Sequence, residues 1–179
     1  MAVAADVANH LGLDRVLWVP ASEPPHKSSD GVTPADVRLE MVEEAVASDP
    51  RFEVSTLELD RPGPSYTVDT VRAVRAELPG AELFLIIGVD QFRHLDSWRA
   101  PDQIAQLVRL AVMDRDGESA QALADDVPGG EAALFVPVRR IDISSTAVRA
   151  AVREGRGAAM WVPSGVAAII EREGLYSAP

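Results

Sequence analysis

Four short clusters in this 179-residue chain combine residue types that could hold an anion or carry a phosphate through a reaction. The stretch "ISSTAVR" sets Ile143, Ser144, Ser145 and Thr146 at a helix start, with Arg149 one turn further on. Free N–H groups, hydroxyl donors and the positive end of the helix dipole make such a start a seat for phosphate. The same serines would equally serve as a plain N-cap. "PPHK" is a rigid turn followed by two potential cations, His26 and Lys27, and reads either as an exposed loop or as a flap over an anion. Lys27 is the only lysine, a compact ammonium where every other basic residue is an arginine fork. "GPSYTVDT" supplies Gly63, hydroxyls at Ser65, Tyr66 and Thr67, and a second helix start, with a Thr67/Thr70 capping box as the bland alternative. "GVD" puts Gly88 and Asp90 straight after an apolar run. A carboxylate there often takes ribose hydroxyls, though a turn-forming aspartate would look the same. Trp98 is either core or a platform on which an aromatic ring could stack.

Charge narrows what these clusters could serve. The net charge of −11 argues against nucleic acid or an anionic membrane as partner, since both need a positive face. Five of the arginines nevertheless fall in "RRIDISSTAVRAAVREGR" (Arg139, Arg140, Arg149, Arg153, Arg156) against two acids, Asp142 and Glu154. Small anions remain possible partners. The absence of cysteine excludes disulfides and thiolate metal sites and suits a cytoplasmic location. No secretory signal is visible, and no apolar run approaches the roughly 18 residues of a membrane span. Neither a Ser-His-Asp order, HExxH, a P-loop nor GxGxxG occurs. His10, Asp6, Asp14 and Asp142 read as solvated or capping residues.

The elements that must position the clusters alternate. Apolar strands are expected at 15–19, 52–59, 83–87, 109–113 and 134–138. Helices are expected over the first ten residues, with Val3, Val7 and Leu11 on one face, and from a Thr33 cap with Pro34 at N1 to about Ala47. Others are expected from about Val68 to Leu78, near Pro101, near Ser144, and from Pro163 to Glu173. Short apolar strands alternating with helices predict an α/β fold with a doubly wound parallel sheet, here a single domain over 1–179. Ligands of such sheets bind past the carboxyl ends of the strands, and each cluster above follows one. The loop from Asp114 to Pro128 is the most polar connection and is expected to be mobile.

Taken together, "VPASEPPHK", "RLEMVEEAV", "RPGPSYTVDT", "FLIIGVDQF" with Trp98, "ISSTAVR" and "VPSGVAAIIEREGLY" resemble bacterial nicotinate-nucleotide adenylyltransferase, collinearly over essentially the whole chain. The resemblance implies a Rossmann-like nucleotidyltransferase fold and adenylyl transfer from ATP to nicotinate mononucleotide, with Mg²⁺ as cofactor. It further implies that Ile143, Ser144, Ser145, Thr146 and Arg149 bind ATP at its phosphates, and that Gly88 and Asp90 meet the adenosine ribose. Ser65, Tyr66, Thr67 and Trp98 would bind nicotinate mononucleotide, and His26 and Lys27, with Arg149, would be catalytic at phosphate. Two departures stand out. "RDG" (115–117) replaces the family's Arg-Pro-Gly, and the family's first strand with its histidine-bearing Gly-Thr/Ser-Phe-Asp-Pro-x-His-x-Gly-His loop has no counterpart. On that ground the chain as written is expected to lack its first strand and to transfer poorly. The alternatives are a sister enzyme acting on nicotinamide mononucleotide or phosphopantetheine, and a nucleotide-binding module without catalysis.

Overall fold

The computed structural model describes residues 1–22, 33–114 and 121–177. In chain order the elements are α1 (Ala2–Leu11), β1 (Val16–Trp18), α2 (Ala35–Val46), β2 (Phe52–Val54), α3 (Thr67–Glu77), β3 (Phe84–Gly88), α4 (Val89–Arg93), α5 (Pro101–Leu107), β4 (Arg109–Asp114), β5 (Leu134–Pro137), α6 (Ser145–Arg153) and α7 (Ser164–Arg172). Short 3₁₀ turns lie at Leu95–Ser97, Gln121–Asp126 and Gly130–Ala132. Two compact units result, one from residues 1–14 and 63–140, the other from 15–62 and 141–179. Every strand pair is parallel, as the alternation predicts; the strands hydrogen-bond as a triplet in the first unit and a pair in the second.

The first unit is organised around β4, which lies between β3 and β5 with Ile86 opposite Ala111 and Ala111 opposite Leu134. Its side chains alternate between two cores. Leu110 and Val112 join Ile87, Phe92 and Leu95, while Ala111 joins Val7 of α1 and Val136 of β5. A strand covered on both faces needs an unbroken apolar run, which "RLAVM" provides. The buried face of α1 is Ala4, Val7 and Ala8, one position round from the expected Val3–Val7–Leu11 stripe. The alanines allow the helix to sit close to the sheet.

In the second unit, β1 and β2 pair with Val16 opposite Phe52 and Trp18 opposite Val54, and the Trp18 and Phe52 rings meet at 5.7 Å. Helices α2 and α7 pack closely enough that a Cβ on Gly165 would run into the Glu44 carboxylate. Arg172 reaches Glu40 across the same interface at 2.9 Å. The strand expected over 52–59 stops at Val54, with one further ladder-like bond from the Ser55 N–H to the Trp18 carbonyl at 2.9 Å. Thr56 then donates its hydroxyl to Asp60 at 2.7 Å, and the Asp60 N–H returns to the Thr56 carbonyl, closing a turn that the apolar pattern hides. Helix α2 also starts differently from expectation. Pro34 stands at its N-cap and Thr33 makes no cap bond, its hydroxyl lying 3.1 Å from the Tyr176 hydroxyl instead.

Candidate functional site

In the first unit, the start of α3 carries the Ser65–Tyr66–Thr67 cluster. Gly63 takes φ +87°, a left-handed turn open to glycine, and leads into a buried Ser65. Tyr66 is the extended N-cap, and its carbonyl receives the Asp69 N–H at 3.0 Å and the Thr70 N–H at 3.3 Å. The Thr67/Thr70 capping box therefore does not form. Thr67 is the first helical residue, and among the described residues its hydroxyl has no partner, so it stays available as a donor. Tyr66 and Trp98 pack on the same apolar cluster of Val68, Val71, Ile104 and Val108, which brings the predicted hydroxyl and ring platform together.

A residue that the sequence did not single out joins them. The Arg99 guanidinium lies 4.5 Å over the Tyr66 ring and 3.9 Å from Asp69, whose other oxygen accepts from Arg72 at 3.0 Å. Ala100, next in the chain, holds φ +51°, an uncommon conformation for a residue with a Cβ.

At the carboxyl end of β3, Gly88 is the N-cap of α4, with Asp90 exposed in the first turn. A Cβ added at Gly88 would meet nothing within 4 Å. Packing among the described residues does not demand the small residue there, which leaves room for a ligand to approach.

The second unit carries the start of α6. Ser144 caps it, its hydroxyl accepting the Ala147 N–H at 3.1 Å, so the capping reading holds for this serine. Ile143, Ser145 and Thr146 are exposed, and among the described residues the hydroxyls of Ser145 and Thr146 have no partner. Arg149 is half-buried and sits 6.0 Å from the centre of the Tyr176 ring. No carboxylate lies within ion-pair distance of it among the described residues. Most other arginines are neutralised or tied: Arg15 to Glu53, Arg51 to Asp49, Arg109 to Glu82, Arg156 to Glu154 and Arg172 to Glu40.

The arginine-rich stretch is thus less of a cluster than its sequence suggests. Arg139 belongs to the first unit and donates to Asp6 at 2.7 Å, so Asp6 is an ion-paired residue rather than a solvated one. The Arg139 guanidinium holds the Asp6 carboxyl below the usual carboxylate range. Among the described residues the neighbour recorded for Arg149 is a ring, and no carboxylate opposes its charge.

His26, Lys27 and the RDG stretch lie outside the described residues. The two flanks of the His26–Lys27 segment are described, and one side chain binds both. Arg38 of α2 donates to the carbonyls of Ala21 at 2.6 Å, Ser22 at 3.0 Å and Thr33 at 3.1 Å. Arg38, Arg99 and Tyr176 are the residues missed in sequence. The first and last stand inside "RLEMVEEAV" and "REGLY", stretches whose resemblance is a signal without a role attached.

Among the described residues no group of three or more His, Cys, Asp or Glu could hold a metal ion, and no helix is long and apolar enough to cross a membrane. Residues 1–151 match the model of the cytidylyltransferase-like family. A relative curated as "Probable nicotinate-nucleotide adenylyltransferase" from Thermus thermophilus is 45% identical over 173 residues, 97% of this chain and 89% of its own. Another of that description, from Corynebacterium kroppenstedtii, is 39% identical over 98% of this chain and 83% of its own. The solved structure of Plasmodium falciparum nicotinic acid mononucleotide adenylyltransferase complexed with NaAD superposes with TM-score 0.77 at 14% identity, covering 98% of this chain and 90% of that one. At that identity it shows a shared fold. The chain belongs to the cytidylyltransferase-like family and, within it, to the nicotinate-nucleotide adenylyltransferases.

Proposed function

We propose that this chain transfers the adenylyl group of ATP to nicotinate mononucleotide, giving deamido-NAD and pyrophosphate in NAD biosynthesis in the cytoplasm. The observation that carries the site reading is Arg149, a half-buried cation with no opposing acid among the described residues, beside a helix start with exposed hydroxyls. A triphosphate supplies the missing negative charge. In this reading Ser144, Ser145, Thr146 and Arg149 hold the phosphates of ATP, Ile143 lies against the nucleotide, and Gly88 and Asp90 take the adenosine ribose. Thr67 and Tyr66 donate to the nicotinate carboxylate, with Ser65 beside them, and Trp98 stacks on the ring. His26 and Lys27 reach phosphate.

The reaction is a direct displacement. A 5′-phosphate oxygen of the mononucleotide forms a bond to the α-phosphorus of ATP as the bond to the α,β-bridging oxygen breaks, and the electron pair leaves with pyrophosphate. No covalent enzyme intermediate is needed, so positioning and charge neutralisation supply the catalysis. Magnesium would arrive on the triphosphate itself, where it would offset the charge of the phosphates.

Pyrophosphate release and product mass test the reading, with ATP and one of nicotinate mononucleotide, nicotinamide mononucleotide or phosphopantetheine as acceptor. Turnover is expected to favour the acid. Preference for either other acceptor would replace the substrate assignment, and binding of deamido-NAD without turnover would favour the binding module.

A further inference from the structure

We infer that Tyr176, four residues past the last helix, is a positioning residue that holds Arg149 for the triphosphate and joins it, through Thr33, to Arg38. The inference rests on the ATP-phosphate reading above and adds to it a residue from a quoted stretch that reading leaves without a role.

Several independent observations, all within the second unit, converge on this side chain. Past the Glu173 C-cap of helix α7, Gly174 takes φ +58°, and the Leu175 N–H folds back to the Ile170 carbonyl at 2.9 Å. That cap turns the chain sharply and delivers the next two residues onto the unit's core. Leu175 and Tyr176 pack against the cluster of Val148, Ala158, Val166 and Ile170. Val148 precedes Arg149 on α6, so the tyrosine and the arginine share one packed patch.

Tyr176 itself takes φ +62°, an outlier for a bulky residue that the surroundings must over-determine. The ring that this conformation places lies 6.0 Å from the Arg149 guanidinium. Its hydroxyl meets Thr33 at 3.1 Å in a part-buried bond. Thr33 in turn gives its carbonyl to Arg38, which also binds the carbonyls of Ala21 and Ser22. Side chains from three places in sequence thus form one chain of contacts: Arg149, Tyr176, Thr33, Arg38.

The physical role follows from the choice of an aromatic neighbour. A carboxylate beside Arg149 would orient it but cancel the charge that phosphate needs. A ring face orients a guanidinium and leaves its N–H donors and most of its charge free. Ordering an arginine in advance removes part of the entropic cost of binding.

Steady-state kinetics on the full chain test this, with thermal melting as the check on folding. Tyr176→Leu keeps an apolar side chain on the core and is expected to raise KM for ATP about 3- to 10-fold, the worth of one cation–π contact, with KM for the mononucleotide unchanged. Tyr176→Phe keeps the ring and is expected to recover most of that loss. In the Arg149→Ala background Tyr176→Leu should add little, because the group it positions is gone. The proposal is overturned if Leu and Phe variants behave alike, if both KM values rise together, or if the two substitutions act independently. An Arg149→Ala variant that raises KM for ATP while Tyr176→Leu does not overturns this proposal and leaves the phosphate reading standing. No effect of Arg149→Ala on ATP overturns the phosphate reading itself.

Discussion

Each unit of the molecule carries a tyrosine–arginine contact, at 4.5 Å in the first and 6.0 Å in the second, and the two also differ in exposure and in whether an acid stands beside the arginine. In the first, Arg99 lies over Tyr66 with Asp69 at 3.9 Å, and its side chain is 60% exposed. In the second, Arg149 lies against Tyr176, is half-buried, and has no acid within ion-pair distance among the described residues. Among the described residues the only two non-glycine residues at positive φ are Ala100 and Tyr176, one at each stack. The strained residue is the ring itself in the second contact and the neighbour of the arginine in the first. The presence or absence of the carboxylate separates their uses. Asp69 tempers the charge of Arg99, which suits a single carboxylate group rather than a chain of phosphates. Arg149 keeps its whole charge, which suits a triphosphate.

The comparison breaks most readily at Arg149. Arg149→Ala is expected to cost ATP about 1.5–3 kcal/mol of binding, the worth of a charge-assisted contact, and to leave the mononucleotide nearly untouched. Calorimetry with each nucleotide measures it.

The first stack is probed through its hydroxyls. Thr67→Ala with Tyr66→Phe is expected to weaken nicotinate mononucleotide by about 1–3 kcal/mol, and the amide form by clearly less. Equal losses would remove the carboxylate from this site.

Gly88→Ala sharpens the assignment of the ribose. A Cβ there meets nothing within 4 Å, so the melting temperature should hold while ATP weakens by about 1–3 kcal/mol through overpacking against the ligand. A drop in melting temperature with unchanged ATP affinity would make Gly88 a structural residue.

Arg99→Gln should act more weakly than Arg149→Ala, by less than about 1 kcal/mol on the mononucleotide, because Asp69 already opposes the charge and water screens it. An effect as large as that at Arg149 would erase the distinction between the stacks.

The smallest effect concerns the arginine that left the cluster. Asp6 titrates below its ordinary 3.8 because Arg139 bonds its carboxylate. A depressed carboxyl stabilises the fold above its unfolded pKa, and that contribution is lost as pH falls through the lower folded value. Arg139→Ala should therefore lower the melting temperature slightly at neutral pH, and the difference should fade as pH falls through the lowered folded value. The nucleotide affinities should stay as they are.

Much of this was legible in the sequence, for definite reasons. "LFLII" and "RLAVM" read as buried strands because a parallel strand covered on both faces has no polar positions to spare. "FEVSTLEL" read as too long a strand because Thr56 and Asp60 close their turn through side chains that the apolar alternation does not register. The α1 face was off by one position because alanine carries little hydrophobic weight yet buries completely against β4 and β5. Ser144 reads in sequence as a cap or a phosphate ligand, and the Ala147 bond shows the cap while leaving the hydroxyl proton free to donate. Arg38, Arg99 and Tyr176 could not be read, since each takes its meaning from partners distant along the chain. Thr33 and Tyr176 are 143 positions apart.

A crossed kinetic comparison tests the central claim most directly: KM for ATP and for nicotinate mononucleotide in Arg149→Ala and in the Thr67→Ala, Tyr66→Phe pair. The account predicts that the first variant raises only the ATP value and the second only the mononucleotide value, each by about fivefold or more. If both variants raise the same KM, the two stacks serve one ligand, and the division of labour drawn from Asp69 is wrong.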